Sequence, residues 1–162
     1  MILIHPTARV HALADIEDSV RGTKIIIGAR TMIDAFVKIK PVGGEGDVII
    51  GEDCQINSGC VIYSGNGVKL GNHVSIAANC TFAPVNHAYM ERGRLISEQR
   101  FLPGKGGIVI HDDVWVGVNT VLLDGAVLGQ GCVVGASSLV RENVPAYQVC
   151  AGNPLRKLSE RR

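Results

Sequence analysis

The hydrophobic positions of this 162-residue chain follow a period of six. Within groups of three hexads, an aliphatic residue, or once a phenylalanine, recurs at each sixth position. These positions are Ile4, Val10, Ile16, Ile27, Ile33, Ile39, Ile50, Ile56, Ile62, Leu70, Ile76, Phe82, Ile110, Val116, Leu122, Leu128, Val134 and Val140. A period of six fits neither an isolated α-helix nor an alternating strand. It is typical of a parallel β-helix, in which each hexad supplies one short strand and one turn.

A compact side chain stands four residues after most of these positions. The set comprises Ala8, Ala14, Val20, Thr31, Val37, Cys54, Cys60, Val74, Cys80, Val114, Thr120, Ala126, Cys132, Ser138 and Val144. It holds four of the five cysteines, and Cys150 joins them if the period continues once past Val144. A thiol at such a turn behaves as a small buried hydrophobe. The register therefore favours a packing role for the cysteines over disulfides or metal ligation.

The residues that interrupt the period all follow the third hexad of a group, at 22–26, 45–49, 68–69 and 88–109. If three hexads form one triangular coil, every interruption leaves the column at the same corner. We therefore predict an all-β fold, a single domain over 1–162. It is a parallel β-helix of about six triangular coils with one long protruding loop over 87–107. We also expect a short C-terminal helix over about 154–161 that caps the open strand edge.

Composition and charge change this picture little. A narrow column has no room for many large rings, and the chain has only one Trp, three Tyr and three Phe. A formal net charge of +1 does not favour nucleic acid or an anionic membrane as partner. The start, MILIHPTARV, lacks the basic region of a signal peptide, and no apolar run is long enough to span a bilayer. We expect a cytoplasmic protein without a transmembrane segment.

Five histidines are the first candidates for chemistry. The register turns His5, His11, His73 and His111 outward, as ordinary surface residues. His87 differs because it ends the last hexad before the long interruption, "FAPVNHAYMERGRLISEQRFLPGKGGIVI". Loops of this length within a compact domain are often functional.

The repeats "IGEDCQI", "LGNHVSI" and "IHDDVWVGVNTVLLDGAVLGQGCVVGASSLV" resemble the hexapeptide-repeat acyltransferases. The resemblance spans essentially the whole chain and is most specific from Ile108 to Leu158. It implies a left-handed parallel β-helix, although parallel crossovers in general favour the right hand. It also implies acetyl-CoA as acyl donor, no metal, and a homotrimer with active sites between neighbouring columns.

Residue by residue, the resemblance implies that His87, at the start of the loop, is the general base. Asn57, thirty residues earlier, matches the asparagine that contacts the acceptor in sugar O-acetyltransferases. Trp115 would form a wall of the acetyl and acceptor site, a subunit interface, or both. Three candidates remain open for orienting the imidazole, namely Glu91, Glu98 or a backbone carbonyl.

The resemblance further implies a coenzyme-binding set in the last third of the chain, with its basic members near the CoA phosphates. This set is Gly117, Val118, Gly135, Ala136, Gly152, Asn153, Pro154, Arg156 and Lys157. Two positions depart from the galactoside and maltose type of acetyltransferase. Gly65 stands where that branch has an acceptor-binding aspartate, and Val118 where it has a serine near the thioester.

The expected function is direct acetyl transfer from acetyl-CoA to a sugar hydroxyl of a polysaccharide precursor, nucleotide sugar or similar glycan. Imidazole suits this task because it titrates close to neutral pH. An N-acetyltransferase of a nucleotide amino sugar is the nearest alternative. Two more distant ones are a γ-carbonic anhydrase-like enzyme, which would need His73, His87 and His111 to converge on a metal, and a non-catalytic solenoid.

Overall fold

Each hexad forms one short strand and one turn in the computed structural model of this protein, which describes residues 1–162. The chain winds as a left-handed parallel β-helix, as the resemblance implied. Three parallel sheets form the walls, and the strands are numbered along the chain. None of the protein's helices is long and apolar enough to span a bilayer.

The first face contains the strand that opens each coil. Its members are β1 (Ile2–Ile4), β4 (Ile25–Ile27), β7 (Val48–Ile50), β10 (Val68–Leu70), β13 (Ile108–Ile110), β16 (Val127–Leu128) and β19 (Asn143–Val144). The second face contains β2 (Arg9–Val10), β5 (Met32–Ile33), β8 (Gln55–Ile56), β11 (Ser75–Ile76), β14 (Trp115–Val116), β17 (Val133–Val134), β20 (Gln148–Ala151) and β21 (Arg156–Glu160). The third face contains β3 (Asp15–Ile16), β6 (Lys38–Lys40), β9 (Val61–Tyr63), β12 (Thr81–Ala83), β15 (Val121–Leu123) and β18 (Leu139–Val140).

The hexad residues stack on one another along the axis. On the first face Ile27 is opposite Ile50, and Ile50 is opposite Leu70. These side chains are at most 2% exposed, and they belong to a single hydrophobic core that runs through the column. Strand pairing at about 4.8 Å per coil gives six coils a height of roughly 30 Å.

The three corners of the column differ in the length of the connections that they hold. The first corner joins the first face to the second, as at 71–74, and the second corner joins the second face to the third, as at 117–120. The third corner returns the chain to the first face, and all long connections leave from it: 17–24, 41–47, 64–67 and 84–107. The predicted common corner is confirmed. Helix α1 (Ile96–Gln99) lies in the longest connection.

The first coil is less well packed than the repeat predicts. Ile4 is 42% exposed, and Val20, expected at a compact buried position, is 99% exposed. Strands β1, β2 and β3 have a neighbouring strand on one side only. An inward position in a terminal coil is therefore covered from one direction, whereas the same position in coil three is covered from two.

The C-terminal segment is a strand and not the predicted helix. Residues Arg156–Glu160 form β21, which pairs antiparallel with β20 and places Arg156 opposite Ala151. The last coil would otherwise leave the N–H and C=O groups of β20 unpaired on one side. A strand satisfies those groups by main-chain hydrogen bonds, which a capping helix could not do.

The column also extends beyond its sixth coil, with a shift in register. Val144 follows Val140 by four residues and lies opposite Leu128 in a first-face strand. Cys150 then lies opposite Val134 in β20, at a strand position rather than at the predicted turn. The shortened third corner thus starts a seventh, incomplete coil, and Cys150 remains buried within it.

All five cysteines are free and buried. Burial raises the pKa of the Cys132 thiol to about 12 and also raises that of Cys54. We expect a thiol-reactive dye to label none of the five within minutes in the native protein and all five after denaturation. Rapid labelling of even one native cysteine would contradict their placement inside the column.

Candidate active site

The long connection is a folded arm whose two limbs pair at its base. Ala88 N–H donates to Arg100 O (2.9 Å), and Leu102 N–H donates to Asn86 O (2.8 Å). His87 and Phe101 therefore face one another in an antiparallel bridge. We call residues 86–88 and 100–102 the ribbon. It places His87 where the arm leaves the third corner.

The His87 ring is exposed and rests against Phe101, with ring centroids 4.7 Å apart and planes tilted by 48°. It lies between two hollows. One, of about 420 Å³, we call the loop cleft; its lining includes Asn86, His87, Tyr89, Lys105, Asp124 and Arg141. The other, of about 500 Å³, is lined by His87, Ser97, Glu98, Arg100 and Phe101. A substrate can therefore approach the imidazole from either side.

Neither predicted carboxylate partner of His87 bonds to its ring. Glu91 accepts a hydrogen bond from Arg94 (3.2 Å), and Glu98 lines the second hollow without contacting the imidazole. The ring has no hydrogen-bond partner within the chain, so its two nitrogens are free to meet a substrate or a group from another subunit.

Asp124 is a feature of the loop cleft that the sequence reasoning missed. Its side chain is 3% exposed, and it is the only charged one among the buried residues. One carboxylate oxygen accepts from Gly107 N–H (2.8 Å), and the other accepts from Lys105 N–H (2.8 Å) and Asn66 Nδ2 (3.0 Å). A signal was present, because Asp124 is the only charged residue between Asp113 and Arg141.

Asn57 lies at the second corner, two coils below the turn that holds Gly117. Its Nδ2 donates to Ile76 O (2.7 Å), which leaves Oδ1 available to a ligand. The neighbouring Ser58 hydroxyl donates to Asp34 (2.7 Å), and this bond, with the Ala35 N–H, keeps the pKa of Asp34 below its usual value. Asn57 is thus held firmly in a stacked turn.

The predicted coenzyme-binding set forms a strip along the second corner and the second face, which we call the coenzyme strip. Trp115 points outward from the second face and is 53% exposed. A Cβ added to Gly117 would come within 2.6 Å of Ala136 N, so only glycine permits this approach of the two turns. Val118 and Ala136 are exposed in these turns.

The tail continues the same strip. Gly152 N–H donates to Ser138 Oγ (2.9 Å), which stacks it on the second corner. The Asn153–Pro154 bond is cis, and β21 then carries Arg156 and Lys157 along the edge of the second face. Lys157 pairs with Glu160, whereas Arg156 forms no ion pair.

Two groups of predicted site residues are therefore separated within one chain. His87 lies at the third corner, while Asn57, Trp115 and the coenzyme set lie at the second face and second corner. The third face stands between them, and its hexad spans roughly 20 Å when extended. His73 and His111 lie at the first corner, away from His87, and no three potential metal ligands lie together in the chain.

Comparisons with known proteins add independent information. Residues 107–142 match the family model described as bacterial transferase hexapeptide (six repeats). The putative lipopolysaccharide biosynthesis O-acetyl transferase WbbJ of Escherichia coli is 30% identical over 138 residues, which cover 82% of this chain and 67% of that protein. This chain covers between 50% and 67% of the length of three curated relatives, of which WbbJ is one.

Solved structures share the fold. A point mutant of AntD, an N-acyltransferase from Bacillus cereus in complex with dTDP-4-amino-4,6-dideoxyglucose and coenzyme A, has a TM-score of 0.82 at 22% identity, covering 99% of this chain and 84% of that one. The hexapeptide-repeat acetyltransferase VCA0836 of Vibrio cholerae, complexed with acetyl coenzyme A, has a TM-score of 0.60 at 25% identity and covers 99% and 71%.

Proposed function

Because this chain belongs to the hexapeptide-repeat transferases, we propose that it transfers an acetyl group from acetyl-CoA directly to a sugar hydroxyl. The relative named above is described as a putative O-acetyl transferase, and the two structural neighbours are complexed with CoA or acetyl-CoA. The observation that supports this most is the His87 imidazole, which is exposed between two hollows and has no partner of its own.

The chemistry assigned to His87 is general base catalysis. A ring nitrogen takes the proton of the acceptor hydroxyl, and the oxygen attacks the thioester carbonyl carbon. The tetrahedral intermediate collapses as the C–S bond breaks, and the imidazolium returns its proton to the CoA sulfur. The products are an O-acetyl sugar and CoA-SH. No cysteine is acylated, and the five thiols are buried away from the loop cleft.

We place the reaction between two copies of the chain. His87 at the third corner of one copy would face the second corner of its neighbour, which supplies Asn57, Trp115 and the coenzyme strip. A cyclic assembly repeats this heterologous contact and closes it, and a homotrimer is the assembly we expect. The separation of the two groups in one chain supports this arrangement, because neither group forms a complete site by itself.

Within that arrangement each residue has a distinct task. Asn57 Oδ1 would accept a hydrogen bond from an acceptor hydroxyl, since its Nδ2 is already bound to Ile76 O. Arg156 and Lys157 would meet the phosphates of CoA. Trp115 would cover the acetyl group at the interface. The free cysteines fit a reducing compartment, and a cytoplasmic location is part of the proposal.

The alternative acceptor is the amine of a nucleotide amino sugar. AntD is an N-acyltransferase in complex with such a sugar, although at 22% identity the likeness concerns the fold. The same imidazole could take a proton from an ammonium before the amine attacks. The O-acetyl transferase relative, at 30% identity, favours the hydroxyl acceptor.

The test measures thiol release from acetyl-CoA with a panel of sugars, nucleotide sugars and nucleotide amino sugars. We expect acceptor-dependent release and a product that loses its acetyl group in alkaline hydroxylamine, as an oxygen ester does. A hydroxylamine-resistant product would instead indicate N-transfer. Failure to bind CoA, with no thiol released by any acceptor, would contradict the transferase proposal and favour a non-catalytic solenoid.

A further inference from the structure

Burying the Asp124 carboxylate costs free energy, and the β-helical fold does not need a charged side chain at this position. Burying a carboxylate is unfavourable unless donors surround it, and elsewhere the inward positions are filled by apolar or small polar side chains. The donors that compensate Asp124 do not come from the strands. Two are backbone N–H groups at the end of the arm, and the third is the Asn66 amide at the neighbouring third-corner turn.

We propose that Asp124 is a positioning residue that fastens the returning limb of the arm to the column and thereby holds His87 in its working place. This inference rests on the proposed function of His87 and adds to it. The Asp124 carboxylate lines the same loop cleft as the imidazole but is bonded to other groups. It therefore acts through the arm and not on the substrate.

The arm has few other attachments to the column. Residues 89–98 are all exposed, and the hydrogen bonds of the Arg94 and Gln99 side chains stay within the arm. The ribbon joins the two limbs to each other, and the departing limb is held to the column where Asn66 N–H donates to Pro84 O (3.0 Å), three residues before His87. The three bonds to Asp124 supply the second reference point.

The returning limb fits closely where Asp124 holds it. A Cβ at Gly104 would come within 2.8 Å of the Asn66 side chain, and Gly125 N–H donates to Gly107 O (2.7 Å). If the carboxylate is lost, two backbone N–H groups lose their acceptor and the limb can move away. A shift of about 1 Å at a reacting group can cost on the order of 100-fold in rate.

The test compares Asp124→Ala and Asp124→Asn with the control Thr31→Val. Thr31 is also buried and also bonds to backbone groups, Gly51 O (2.7 Å) and Cys54 N–H (3.0 Å), but in a coil far from the arm. We expect kcat to fall about 100-fold in Asp124→Ala and roughly 10-fold in Asp124→Asn, which keeps one acceptor oxygen. The KM for acetyl-CoA should stay near its wild-type value, and Thr31→Val should keep the wild-type kcat.

A second measurement does not depend on activity. In Asp124→Ala, the amides of Lys105 and Gly107 should lose hydrogen-exchange protection, and trypsin should cleave faster after the exposed Arg92 and Arg94. Unchanged exchange at both amides would overturn the positioning role even if the wild type proves to be no transferase. Increased exchange together with wild-type kcat would overturn the link to His87 and leave the proposed transfer reaction untouched.

Discussion

His87→Ala is expected to lower kcat by about 1,000-fold, because general base catalysis contributes roughly 10²–10⁴-fold to such reactions. The hydroxyl of a sugar is a poor nucleophile while it keeps its proton, and His87 is the one residue that lines both hollows of the arm. Binding of acetyl-CoA should change little, since the coenzyme strip lies on another corner of the column. Thiol release under saturating substrates measures the first effect, and calorimetry the second.

The matched control is His111→Ala, which removes an exposed histidine from the first corner of the same column. It should keep the wild-type kcat and the wild-type thermal midpoint. If His87→Ala retained more than about a hundredth of the wild-type kcat, the range expected for a general base would not be met. The base would then have to be sought elsewhere, or the hydroxyl would have to lose its proton to water.

The winding of the chain was predictable because one constraint acts on every coil. Each inward strand position must be apolar, and such a position recurs at every sixth residue. The same requirement for an apolar side chain is therefore repeated many times along the chain. The common corner of the interruptions followed from counting hexads. By the same count, Asn57 follows a second hexad and His87 a third, so their placement on different corners was already implicit in the sequence.

The features that sequence reasoning missed depend on partners distant in sequence. The tail pairs as β21 because β20 offers an open edge, which the composition of residues 156–160 does not reveal. Cys150 is displaced because one corner is two residues short. The role of Asp124 depends on backbone N–H groups 17 and 19 residues earlier, and a backbone donor has no sequence signature.

Complementation between two inactive variants is expected to restore activity if the site is shared between copies. One variant is His87→Ala, and the other is Ala136→Trp, which places a large ring in the exposed turn of the coenzyme strip. Each variant alone should be almost inactive. Coexpression with two different tags and purification over both would isolate mixed rings, whose activity is then measured per ring.

In a mixed trimer, one of the three interfaces joins an intact His87 to an intact coenzyme strip, whichever variant is in excess. Mixed rings should therefore show about one third of the wild-type activity. If His87 and the coenzyme strip of the same chain formed the site, every site in the mixture would carry one lesion and the rings would stay inactive. The outcome thus decides between a shared and a single-chain site, because the two substitutions lie on different corners and each leaves the other corner intact.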